Sequence, residues 1–89
     1  MKAVLFYETG DTPPEAFGAA FPRHKVVYEA FVVRKEILGI GTFADLRDGS
    51  MAIFRSRAAA EAFVEQDPFV LEGLVKRHVI KDWNDSLLP

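Results

Sequence analysis

The sequence predicts an α+β sandwich with the element order βαββαβ, and three observations predict it. Four short apolar stretches carry strand character, beginning near Lys2, Glu36, Met51 and Leu74. Two stretches with helical spacing fill the first and third gaps between them. The second gap is too short for a helix and holds the turn pair Asp48-Gly49, which marks a hairpin.

Lys2 to Glu8 reads as the first strand, with Ala3 to Tyr7 apolar on both faces of a period-two element. Thr9 to Pro14 is a loop of Thr, Gly, Asp and Pro. Pro13-Pro14-Glu15 opens a short helical turn through Phe17 to Phe21, which Pro22 is expected to interrupt. Pro22 suits the first turn of a new helix over residues 22 to 35. Val27, Tyr28, Phe31 and Val32 lie there at helical spacing, and Arg34 and Lys35 sit at the end that favours cations. Glu36 to Ala44 reads as the second strand and Asp45 to Ser50 as a polar loop.

Met51 to Phe54 is a short apolar run, as expected of a strand buried on both faces. Ser56 is placed to cap the helix that follows, whose Ala58 to Ala62 are mostly strong helix formers. Ala59, Ala62 and Phe63 share a core-facing stripe. Pro68 ends this helix, and Asp67 before it is placed to cap a further turn. Gly73 frees the chain for a last strand, Leu74 to Trp83.

Right-handed crossovers place both helices on one face of a four-stranded antiparallel sheet, a ferredoxin-like sandwich. In the first strand Val4 and Phe6 oppose Ala3, Leu5 and Tyr7; in the second, Ile37 and Phe43 oppose Leu38 and Ile40. Two helices cannot cover both faces. An uncovered apolar sheet face marks an interface, so a homodimer packing sheet against sheet is expected.

Composition bounds the function. Residues 1–89 are the length of one domain, which buries about 60–65% of its unfolded surface. A hydrophobic fraction of 49% with eight Phe excludes a disordered chain. Without cysteine there is no disulfide, thiolate metal site or cysteine nucleophile, which fits a cytoplasmic location. The Ala3–Tyr7 run is too short to span a membrane, and a net charge of -2 offers no general attraction to nucleic acid or anionic lipid.

Pro22-Arg23-His24, Glu36-Ile37-Leu38-Gly39-Ile40-Gly41 and Asp67-Pro68-Phe69 followed by Gly73, in this order and spacing, resemble the YCII-related family of small bacterial proteins. The third strand and the alanine-rich helix match too, so the resemblance covers nearly the whole chain. It implies a dimeric ferredoxin-like α/β barrel, similar in architecture to muconolactone isomerases and to small monooxygenases of antibiotic biosynthesis. It also implies a His-Asp active-site dyad, which by motif is His24 and Asp67. One branch of the family is linked to removing chloride from a chlorinated hydroxyquinol. This chain departs from many relatives at Gly41-Thr42, where they have Gly-Pro, and at Phe21, where they have arginine. If that arginine holds an anionic substrate, the ligand of this protein is less charged.

The residues admit plainer readings beside the functional ones. His24 at a helix start, where the dipole favours the neutral imidazole, is suited to a base; it is also an ordinary surface position. Asp67 is suited to orient that ring, and equally to cap the next turn; one carboxylate has oxygens for both. His78 offers no diagnostic metal spacing with His24 and Asp67, so no metal is expected. Gly39 and Gly41 lack the third glycine and the helix of a dinucleotide site, and no cofactor is expected. They are read as relieving crowding under the first helix or opening a pocket beside His24. Tyr7, Tyr28, Phe43 and Trp83 are candidates for a small aromatic pocket. Arg55 and Arg57 are candidates for meeting an anion, and more simply a solvated pair.

Two functions follow from the dyad. One is an enzyme moving protons on a small ring-derived metabolite in an isomerisation or an elimination such as dehydrochlorination, with a cofactor-free monooxygenase as a close variant. The other is a non-catalytic protein that binds a small molecule on the same barrel. The βαββαβ order also builds RNA-recognition folds, but Gly49 to Phe54 has neither the basic residues nor the paired aromatics of that class.

Overall fold

The computed structural model describes residues 1–89. The chain runs β1 (Lys2–Glu8), α1 (Pro14–Val33), β2 (Ile37–Thr42), β3 (Ser50–Phe54), α2 (Arg57–Gln66), α3 (Pro68–Leu71) and β4 (Arg77–Trp83), with a 3-10 turn at Leu46–Asp48. The strands form one antiparallel sheet in the order β2-β3-β1-β4. This is the ferredoxin-like α+β arrangement. β2 and β4 are each shorter at one or both ends than the sequence suggests: Phe43 already belongs to the turn, and Leu74 and Val75 close α3.

Residues directly opposite in an antiparallel pair share a face. Ala3, Leu5 and Tyr7 of β1 are buried toward the helices with Ala52 and Phe54 of β3. Phe31 of α1 and Ala59, Ala60, Phe63 and Val64 of α2 complete that core. Phe63 meets Phe31 and Phe54 with ring centroids 5.3 Å away in each case. Val4, Phe6, Met51, Ile53 and Val79 share the other face by register, and no helix belongs to that side of the core. β3 is therefore fully buried on one face only: Met51 and Ile53 are half-buried.

The caps explain where elements end. The Ser56 hydroxyl accepts from Ala59 N–H at 3.1 Å and starts α2. Gly73, at φ 74°, closes α3 with paired bonds from Gly73 N–H to Val70 and Leu74 N–H to Phe69. α1 ends in the same motif, but with Lys35 in the left-handed region at φ 60°. Arg34 and Lys35 thus lie just beyond the last helical turn.

Three expectations are corrected. α1 does not stop at Pro22 but continues through it for 20 residues. Proline removes one helical hydrogen bond, and aromatic packing on both sides offsets that loss. Phe17, before it, lies 5.1 Å from Phe69, and His24, after it, lies 3.9 Å from the same ring. The buried stripe of α1 is accordingly Ala20, His24 and Phe31, while Val32 is exposed. In β2, a register shift between Ile37 and Gly39 puts Ile37 and Ile40 opposite inward-facing Phe54 and Ala52, so the two do not oppose each other. Gly39 and Gly41 register with the outward-facing Ile53 and Met51, and a Cβ on either would meet nothing within 4 Å. They relieve no crowding under α1.

Candidate functional site

The site forms where α1, α3 and β1 converge. Asp67 ends α2 and caps α3: its Oδ1 accepts from Phe69 N–H at 3.1 Å. Its fixed, extended backbone turns the carboxylate inward, where it is 0% exposed. The same Oδ1 lies 2.7 Å from His24 Nδ1, and Oδ2 accepts from the Tyr7 hydroxyl at 2.6 Å. Cap and histidine partner are thus one group. A carboxylate that already receives an O–H and an N–H acts as an acceptor toward His24 as well, so Nδ1 carries the proton.

His24 is also buried, and its ring is fixed from several sides. It stacks on Phe69 with centroids 3.9 Å apart and planes 8° from parallel. Tyr28 stands edge-on at 5.3 Å. Phe69 therefore serves both partners, its amide on Asp67 and its ring on His24. The other ring nitrogen, Nε2, has no protein partner and is not sealed off, and His24 lines a cavity of about 500 Å3. In the Nδ1–H tautomer Nε2 presents a lone pair to that cavity.

The helix-start argument for a neutral His24 does not hold. His24 sits in the middle of α1, and dipole effects fade within the first turn. What positions the ring is Asp67, not the dipole. Burial first, then the Asp67 charge and hydrogen bond, raise the Tyr7 hydroxyl far above the usual tyrosine range. Tyr7 therefore stays protonated and remains a donor.

Of the proposed pocket aromatics, Tyr7 and Tyr28 line this cavity, and Phe43 and Trp83 do not. Phe43 belongs to the turn after β2, and Trp83 borders a shallow groove on the outer sheet face. Phe17, Phe21, Phe63 and Phe69 line the cavity instead. His78 is exposed on β4 opposite Tyr7, and no three acidic or imidazole groups gather around the pair. Arg55 and Arg57 are tied down: Arg55 Nε donates to Lys35 O at 2.8 Å, and Arg57 pairs with Asp82 at 2.9 Å. Arg23, next to His24, forms a bidentate exposed pair with Glu72 at 2.7 and 2.9 Å, joining α1 to the end of α3.

Sequence reasoning placed Tyr7 among the pocket aromatics but missed its bond to Asp67. A signal was present: on the inward phase of β1, Tyr7 has a hydroxyl that burial obliges to find a partner.

No family model matches the sequence, and no curated protein matches it. Solved structures are similar to it. The 5-chloro-2-hydroxyhydroquinone dehydrochlorinase TftG from Burkholderia phenoliruptrix AC1100, in complex with 2,5-dihydroxybenzoquinone, superposes with a TM-score of 0.72 at 24% identity, over 97% of this chain and 96% of its own. An antibiotic biosynthesis monooxygenase superposes with a TM-score of 0.54 at 18% identity, over 96% of this chain and 100% of its own. These neighbours share the fold that the YCII-related resemblance implies. No helix of the chain is long and apolar enough to cross a membrane.

Proposed function

We propose that this protein is a YCII-like enzyme that moves protons on a small ring-derived metabolite. His24 Nε2 is the general base and then the acid, and Asp67 orients the ring and stabilises its charged form. The observation that carries this reading is the 2.7 Å Asp67–His24 bond, with the free ring nitrogen at a cavity wall. Nε2 takes a proton from a ring hydroxyl or an acidic ring carbon. Return of that proton to another ring atom completes an isomerisation. Departure of a leaving group such as chloride, with the electron pair, completes an elimination. The elimination is the reaction named for TftG, which lends it support by analogy of fold.

Turnover on a panel of hydroxylated aromatics, chlorinated hydroxyquinols and lactones tests the proposal. His24→Ala is expected to lower kcat/KM by about a hundredfold or more while its circular dichroism spectrum shows the fold retained, although loss of the buried ring lowers its unfolding midpoint. Binding of panel members with no turnover would replace the enzyme with the accessory, ligand-holding protein.

We further propose a cytoplasmic homodimer joined through the outer sheet face. Phe6, Met51, Ile53 and Val79 are half-buried there, and the Lys81 ammonium lies 5.6 Å from the Phe6 ring. Sedimentation equilibrium is expected to return twice the 10.0 kDa chain mass, and Phe6→Glu to return a folded monomer. A single-chain mass for the wild type at micromolar concentration rules the dimer out.

A further inference from the structure

The charge of the cavity narrows the ligand. None of its 20 lining residues is Asp, Glu, Lys or Arg. The one ionic system at its wall is His24 with Asp67 behind it. With His24 neutral that pair carries a net negative charge, and with His24 protonated it carries none. While Asp67 is ionised the pair is never net positive. Arg23, the nearest cation in sequence, is held outside by Glu72.

The other source of positive potential is the start of α1, whose Pro14 lies on the cavity rim. It is a poor anion site. Pro13 and Pro14 bring no N–H groups, Ala16 N–H is already bonded to Pro13 O at 3.0 Å, and Glu15 adds a negative charge to the first turn. A buried cation fares no better. Both Asp67 oxygens are occupied and the residue is 0% exposed, so no carboxylate reaches the ligand.

What the cavity does offer is flat apolar surface and uncharged hydroxyls. Phe17, Phe21, Tyr28, Phe63 and Phe69 form aromatic wall. Tyr28, Thr42 and Ser50 line the space, and their hydroxyls have no protein partner. An ion entering this space sheds water without direct contact to an opposite charge, whereas hydroxyl and carbonyl groups exchange water for hydroxyl partners.

Building on the acid–base reading of His24, we propose that the ligand is an uncharged ring compound bearing hydroxyl or carbonyl groups, and that this site discriminates against ring carboxylates, ring phosphates and ring amines. Phe21 sets that preference at the mouth. It is 44% exposed, lies 5.8 Å from the His24 ring, and brings no charge.

Three ring compounds of matched size test this on the full chain: hydroquinone, 4-hydroxybenzoate and 4-hydroxybenzylamine. Dissociation constants are measured by NMR titration, following Tyr28 and Phe69 resonances. Hydroquinone is expected to bind at least about tenfold tighter than either ion. The preference is expected to persist in His24→Gln, so it stands or falls separately from proton transfer. Phe21→Arg is expected to move the ratio of benzoate to hydroquinone affinity toward the benzoate. Either ion binding as tightly as hydroquinone overturns the proposal. So does the absence of shifts at Tyr28 and Phe69 with all three compounds.

Discussion

Gly49→Ala is expected to destabilise the protein by about 3 kcal/mol or more, a large share of the roughly 5–10 kcal/mol available to a domain of this size. Gly49 has φ 80° and ψ -141°, a region that residues with a Cβ rarely enter. A Cβ added there would lie 1.9 Å from the Tyr7 carbonyl oxygen. That oxygen is backbone in the central strand β1, so no side-chain rotation relieves the contact. The turn before β3 must open or β1 must shift, and either disturbs the register that pairs Tyr7 with Ser50. The damage reaches the site, because Tyr7 holds Asp67. Gly39→Ala and Gly41→Ala are the controls: their Cβ atoms meet nothing within 4 Å, and each is expected to stay within about 1 kcal/mol of wild type. Urea unfolding decides the matter. An unfolding midpoint for Gly49→Ala equal to that of the controls would show that the turn relaxes freely.

The contrast between these glycines shows what local sequence reveals. Asp48-Gly49 between two apolar runs announces a turn, and Gly73 after a proline-started helix announces a helix end, because both depend on backbone conformation alone. Ser56 and Asp67 were legible as caps for the same reason. The element order followed from periodicity. Pro22 and the bulge in β2 were not legible, because each depends on distant packing. Pro22 continues a helix because Phe17 and His24 rest on Phe69, which lies more than forty positions further along the chain. The β2 bulge turns Ile40 to the inner face, and only its partner strand defines that register.

The candidate site divides along the same line. His24 and Asp67 were found by motif resemblance, and the plainer reading of Asp67 as a cap was equally sound. The structure brings the two readings together in one carboxylate: Oδ1 takes the Phe69 amide and the histidine, and Oδ2 takes Tyr7. The absence of charge from the cavity could not be read from composition, since 27% of the residues are charged. It emerges only when the fold keeps every one of them but Asp67 out of the interior and closes Asp67 off behind His24 and Tyr7.

Asp67→Ala carries the second large effect, an expected loss of about 3–5 kcal/mol, which is the range for breaking a buried, hydrogen-bonded charged group. The Tyr7 hydroxyl, His24 Nδ1 and Phe69 N–H lose their acceptor together. A cap alone accounts for about 1 kcal/mol, so the size of the loss separates a helix cap from the centre of a buried network. Tyr7→Phe is expected to remove about 1–3 kcal/mol by leaving Oδ2 without its donor. In the double variant the two losses should fall short of their sum by at least about 0.5 kcal/mol, because the second substitution removes a partner that is already gone. Nitrogen-15 NMR of the imidazole supplies an independent readout. In wild type the proton resides on Nδ1, held by Asp67; in Asp67→Ala both tautomers should be populated. Strictly additive losses with an unchanged tautomer would mean that Asp67 caps α3 and merely lies beside His24. Coupled losses with a released tautomer would mean that Tyr7, Asp67 and His24 form one unit, aimed so that a single nitrogen meets whatever enters the cavity.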